Sequence, residues 1–220
     1  MAACQRLHAD FSHTPLSARP ASSAALRPPH PAGENAGVHL DVNACDDPLA
    51  LAVLLHPHPD FGGNRFHPFV DALHHRLPDV RVAALRFDFS SSDPANAHRE
   101  AVDAIDAATE RWPQRPLVLV GYSFGAGVAV GVDDDRIAAW YLLAPPTAEL
   151  ERATIGRESR PKAIVVPEHD QFFPPATVER IVATWVSTTL TVAEGADHFL
   201  GAVDPVATGA VEWIRRVAET

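Results

Sequence analysis

Six short apolar runs, separated by longer amphipathic stretches, constrain this chain most, because few architectures cover such runs on both faces. The runs are residues 49–55, 80–87, 117–122, 137–143, 163–167 and 189–192. Each is short and apolar on both sides of its alternation, as a strand covered by helices above and below must be. Between them, 65–77, 94–111, 124–130, 176–186 and 205–218 carry helical patterning. Asp93 before Pro94 supplies an N-cap and a first-turn proline, and Asp204 before Pro205 repeats the device. The expectation is an α/β class chain, with a mostly parallel central sheet flanked by helices on both faces.

At 220 residues the chain is the size of one compact domain with room for a tail. From 12 to 37 it is rich in Pro, Ala, Ser and His without helical or strand period, including Arg27-Pro-Pro-His-Pro31. Such a stretch buries too little to offset its ordering entropy. The reading is therefore a Pro/Ala-rich tail or arm over 1–37 and a folded domain over 38–220. Val38, Leu40 and Val42 alternate with polar neighbours, which keeps a β-hairpin arm packed on the sheet as the competing arrangement.

With 18 basic against 28 acidic residues the formal charge is −10, which gives no electrostatic attraction to phosphate backbones or anionic lipid. Nucleic acid is not an expected partner. No apolar run approaches the about 20 residues of a membrane-spanning helix, so no membrane partner is expected either. Lys162 is the single lysine, and Cys4 and Cys45 are too few for a disulfide scaffold or a Cys-based zinc site. The first residues lack an apolar segment following a basic one, so no secretory signal is read and the expected setting is cytoplasmic.

Chemistry concentrates at Gly121-Tyr122-Ser123-Phe124-Gly125, a G-x-S-x-G set between an apolar run and the small-residue segment 126–130. A serine on a sharp strand-to-helix turn is held in strained backbone, and glycines two residues to either side let strand and helix approach closely. The helix start adds free N–H groups and a positive dipole end beside the hydroxyl. A nucleophilic serine needs a base, and the base a carboxylate that fixes its tautomer. After the run 163–167 comes Glu168-His169-Asp170, and after 189–192 comes Gly195-Ala196-Asp197-His198-Phe199. Asp170 and His198 thus fall at the carboxyl ends of successive strands, where side chains of an open α/β sheet converge. Glu168 is the next acid in line.

Acyl transfer also needs donors for a developing oxyanion. One is the backbone N–H of Phe124, directly after the serine. The other is expected from His56-Pro57-His58-Pro59-Asp60-Phe61-Gly62-Gly63, where the prolines cannot donate and Asp60 or Phe61 can.

With these three motifs in order, the stretch from about 49 to 215 resembles the α/β-hydrolase superfamily. The likeness is strongest to its small dienelactone-hydrolase-like branch, with an H-P-H-P-x-x-G-G loop, a G-x-S-x-G elbow and an A-D-H-F histidine. The resemblance implies Ser123 as nucleophile, Asp170 as acid, His198 as base, and Phe124 with Asp60 or Phe61 around the oxyanion. Serine stands where dienelactone hydrolases proper carry cysteine. Phe87-Asp88-Phe89-Ser90-Ser91-Ser92-Asp93 lacks the two glycines of F-x-F-R-G-x-G-x-S, which predicts a differently shaped loop. Only 144–162 separates two of the runs, room for one short helix and no lid domain, so an open site for small acyl groups is expected.

The function read from these residues is serine-dependent hydrolysis of a small-molecule ester or thioester, with no cofactor. Two alternatives stand beside it. His56, His58 and Asp60 fit the start of an H-x-H-x-D-H metal motif, though Phe61 holds its sixth position, so a metal-dependent hydrolase is one. The other is an α/β-hydrolase-like module that binds without turnover. His74 and His75 lie about 100° apart on a predicted helix, so at most one could face a metal; a solvated or packed role is expected of them.

Overall fold

Alternate side chains of strand β3 (Ala50–Leu55) enter two different cores. Leu51, Val53 and Leu55 join one buried cluster, and Ala50, Ala52 and Leu54 the other. That is the expected consequence of a strand apolar at every position. In the computed structural model, which describes residues 5–8 and 38–220, eight strands form one sheet in the order β1-β2-β4-β3-β5-β6-β7-β8. These are β1 (Gln5–His8), β2 (Asp41–Ala44), β3, β4 (Val82–Arg86), β5 (Leu117–Tyr122), β6 (Ile137–Leu143), β7 (Lys162–His169) and β8 (Thr188–Asp197). From β4 to β8 along the sheet every pairing is parallel, while β1 with β2 and β2 with β4 are antiparallel. The remainder of the 1–37 segment lies outside the described residues.

Among the described residues six helices cover the sheet: α1 (Pro68–Arg76), α2 (Pro94–Arg111), α3 (Phe124–Gly131), α4 (Thr147–Arg152), α5 (Pro175–Val182) and α6 (Val203–Ala218). Buried residues of α2, α3, α4 and α5 pack in one core, and those of α1 and α6 in the other. Helices therefore lie on both faces, as expected.

Several boundaries differ from the sequence reading for local reasons. Asp93 does cap α2, accepting from Asn96 N–H at 2.8 Å. Asp204 does not cap α6: Ala202 holds that position, and Asp204 sits in the first turn and pairs with Arg76 at 2.5 Å. Helix α1 starts at Pro68 rather than 65 because the ring of His67 accepts the Phe69 N–H at 3.3 Å and caps it there. The expectation of a strand buried on both faces fails for β8, which runs the length Thr188–Asp197 with Ala196 its only fully buried position. It is the sheet edge, and an edge strand need not be apolar throughout. Between β6 and β7 lie only α4 and a short 3-10 turn at Ile155–Arg157, and no lid domain.

Candidate active site

β5 ends at Tyr122 and α3 begins at Phe124, leaving Ser123 alone at the corner with φ 51° and ψ −113°. A non-glycine residue in that region carries strain that the surroundings must impose. The two flanking glycines show how. A Cβ on Gly121 would stand 2.4 Å from the Gly125 carbonyl oxygen, and one on Gly125 would stand 2.3 Å from that of Leu55. Strand and helix thus touch backbone to backbone, and the serine N–H is tied to Leu143 O at 2.9 Å.

Three side chains from three strand ends meet at this corner. Ser123 Oγ lies 2.9 Å from His198 Nε2, and His198 Nδ1 lies 2.8 Å from Asp170 Oδ2. A carboxylate only accepts, so Nδ1 carries the proton and Nε2 is left to accept from the serine hydroxyl. The other oxygen of Asp170 accepts two amides, from Phe172 at 2.9 Å and Phe173 at 2.8 Å, which lock the carboxylate in place. Its side chain is fully buried. Glu168, the next acid in sequence, faces elsewhere and accepts from Gly195 N–H at 2.8 Å.

The three residues named for an oxyanion are placed differently from one another. Phe124 opens α3, where an N–H has no intrahelical acceptor. The amides of Asp60 and Phe61 are both engaged inside their turn, with His58 Nδ1 at 3.3 Å and His58 O at 3.2 Å. The Asp60 carboxylate turns to the Ser92 hydroxyl at 2.5 Å, while the Phe61 ring borders the cleft. Gly63 is required where the turn folds back, since a Cβ there would lie 2.1 Å from Pro57 O.

His56 is a structural residue. Its Nε2 accepts Phe89 N–H at 2.9 Å and its Nδ1 donates to Pro57 O at 2.6 Å, pinning the loop after β4 to the loop after β3. Burial holds its pKa below the ordinary value. Neither ring nitrogen has a lone pair left for a metal ion, and among the described residues no group of three or more His, Cys, Asp or Glu is placed to hold one. His74 is buried against Asp41, 3.6 Å away, and His75 rests on the Asp71 carbonyl at 2.7 Å, so the two are packed on α1.

Two residues escaped the sequence reading. Tyr122 donates its phenolic O–H to the main-chain carbonyl of His198. Burial raises its pKa well above the phenol range, so it remains a donor. His67 lines the same cleft as Ser123, with its ring 5.0 Å from that of Tyr122. Burial, with a smaller contribution from His56, lowers its pKa to about 4. The signal for His67 was the proline after it, since His56, His58 and His67 all precede proline.

This strand order, with Ser123 at the end of β5 and Asp170 and His198 after β7 and β8, defines the α/β-hydrolase fold. Solved structures agree. A putative alpha/beta hydrolase from Agrobacterium tumefaciens superposes with a TM-score of 0.74 at 23% identity, over 81% of this chain and 90% of that one. An a/b serine hydrolase without lid from Xanthomonas campestris gives 0.69 at 20%, over 80% and 88%. The dienelactone hydrolase of Anabaena variabilis gives 0.68 at 18%, over 83% and 94%. Residues 70–134, less than half the chain, match the family described as Bacterial virulence protein (VirJ). No curated protein matches the chain. No helix among the described residues is long and apolar enough to cross a membrane.

Proposed function

We propose that the protein is a serine hydrolase that cleaves a small-molecule ester or thioester through Ser123, His198 and Asp170. The observation that carries this reading is the continuous hydrogen-bonded chain from Asp170 through His198 to a serine held in strained backbone at a strand end. A cold-adapted esterase and a dienelactone hydrolase among the structural neighbours support the same class.

His198 Nε2 takes the hydroxyl proton as Ser123 Oγ bonds to the carbonyl carbon, and the carbonyl oxygen becomes an oxyanion facing the Phe124 N–H. For Asp60 or Phe61 to supply a second donor, its amide must exchange its His58 partner for the oxyanion. Collapse of the tetrahedral species breaks the bond to the leaving alcohol or thiol, which receives the proton from His198. Water, deprotonated by the same imidazole, then attacks the acyl-serine, and as the bond to Ser123 Oγ breaks to release the acid His198 returns that proton to Oγ. Asp170 keeps Nδ1 protonated and steadies the imidazolium between these steps. No step calls for a metal or cofactor.

The test is labelling by a fluorophosphonate probe with mass mapping of the modified residue, beside turnover of p-nitrophenyl acetate. Labelling at Ser123, with turnover lost in Ser123→Ala and His198→Ala, is expected. Turnover that survives Ser123→Ala but is lost to a chelator would favour the metal-dependent alternative. A folded protein with neither labelling nor turnover would favour a binding module.

A further inference from the structure

The cleft above Ser123 has a volume of about 490 Å³. That falls within the about 300–1,000 Å³ of sites that enclose a drug-sized ligand, and is more than a short acyl chain fills. Its border has two aromatic walls. On one side Phe61 is 85% exposed and packs on His58 at 4.8 Å between ring centroids. On the other, Phe172 at 56% exposure and Phe199 at 63% meet edge to face, 5.9 Å apart, with Phe172 also edge-on to His198 at 4.9 Å.

Large aromatic side chains left open on both sides of one cleft mark a surface built to be covered. Flat rings are suited to it, because edge-to-face and offset contacts add to what burial alone provides. Among the described residues, no Lys, Arg, Asp or Glu side chain borders the cleft. Its polar side chains are Ser123, Tyr122 and imidazoles, and the Tyr122 hydroxyl is already committed to His198. His67 is neutral above about pH 5, given its lowered pKa of about 4. A carboxylate entering here would lose water and meet no Lys or Arg side chain among the described residues.

We propose that the substrates are uncharged esters bearing a planar aromatic group on one side of the scissile bond, seated between Phe61 and the Phe172–Phe199 pair. This rests on the serine hydrolase reading and adds the substrate class to it. It also departs from the small acyl group expected from the absence of a lid.

Matched esters test it in the intact protein. Ethyl 3-phenylpropanoate against ethyl 3-cyclohexylpropanoate probes the acyl side, and benzyl acetate against cyclohexylmethyl acetate the alcohol side. Ethyl 3-(4-carboxyphenyl)propanoate probes charge, with all rates taken in 0.5 M salt, where distant repulsion from the rest of the protein is screened. The expected result is a kcat/KM preference for phenyl over cyclohexyl of roughly three- to tenfold in at least one pair, the scale of one aromatic contact. The carboxylate ester should be turned over at least about tenfold more slowly than its neutral parent. In Phe61→Leu or Phe172→Leu, the phenyl preference should shrink toward unity, with folding checked by circular dichroism. Parity between phenyl and cyclohexyl in both pairs, or full activity on the carboxylate, overturns this inference alone if Ser123 is still labelled and p-nitrophenyl acetate is still cleaved. Absence of labelling and of all turnover overturns it together with the reading beneath it.

Discussion

Tyr122 and His198 are joined by a hydrogen bond from the phenol to the main-chain carbonyl, so the residue beside the serine also holds the backbone of the imidazole that faces it. Two strand ends that are 76 residues apart in sequence are thereby set at a fixed separation. In Tyr122→Phe the ring stays and the donor goes, leaving a buried carbonyl unpaired at a cost of about 1–3 kcal/mol. Steady-state kinetics well below the melting temperature should show kcat reduced by about tenfold with KM little changed, as for a base that is slightly misplaced. A kcat equal to wild type would mean that the loop holds His198 without this tether.

Much of this arrangement could be read from the residues alone, and the exceptions have physical causes. Strands β3, β5 and β6 were legible because burial on both faces requires apolar side chains at nearly every position. β8 was partly hidden because an edge strand is free to be polar, and its continuation to Asp197 carries the approach to His198. The serine corner was visible because Gly121 and Gly125 are forced by backbone contact. The helix start at His67 was not, since imidazole seldom caps a helix and Asp or Ser would have been the expected sign. Likewise the choice of oxyanion donor depended on which amides the turn at His58 consumes, a matter of hydrogen-bond geometry that residue types do not specify.

Asp170→Asn gives a sharper test of the proposed role of Asp170 than its removal. The Oδ1 position accepts two amides, so the asparagine oxygen must stay there and its NH₂ must face His198 Nδ1. A donor at that point selects the imidazole tautomer with its proton on Nε2, which cannot accept from Ser123. A fall in kcat of about 10³–10⁴ is expected from the wrong tautomer with the fold preserved, as in the serine protease precedent. Glu168→Gln, which changes a residue that accepts from Gly195 N–H and faces the His169 ring at 3.8 Å, away from His198, should stay within about threefold of wild type. If the two variants behave alike, Asp170 is not the carboxylate that matters.

Acid sensitivity is built into α1. His74 is buried beside Asp41 and Arg86, with His75 next to it and Asp71 bonded to Arg86 on the same helix. Burial first, and the Arg86 charge second, lower its pKa from 6.5 to about 4. Between those two pH values the unfolded chain binds a proton that the folded chain does not, so unfolding is favoured as pH falls. The contribution is complete above about pH 6.5 and is lost progressively toward pH 4; His67 and His56 act in the same direction. Urea unfolding at pH 7.5 and pH 5 should show lower stability at pH 5, and His74→Leu should narrow the difference. An unchanged difference in that variant would place the acid sensitivity elsewhere.

Two glycines in the same helix should respond in opposite ways to alanine. At Gly125 a Cβ would press on Leu55 O at 2.3 Å and His56 O at 2.7 Å, both backbone atoms of the strand end and loop that the elbow rests against. No rotamer relieves such a contact, so Gly125→Ala must push α3 away from β3 and displace Ser123 from His198. Loss of activity with a lowered melting temperature, or failure to fold, is expected. At Gly131, on the last turn of α3, the nearest atom is His98 Cδ2 at 4.0 Å, and the backbone is not left-handed. There alanine removes unfolded-state freedom at no steric cost, so Gly131→Ala should gain up to about 1 kcal/mol by urea unfolding with activity retained. Equal tolerance at both sites would show that the strand-to-helix contact has slack, and that the strained serine is held by something other than close backbone approach.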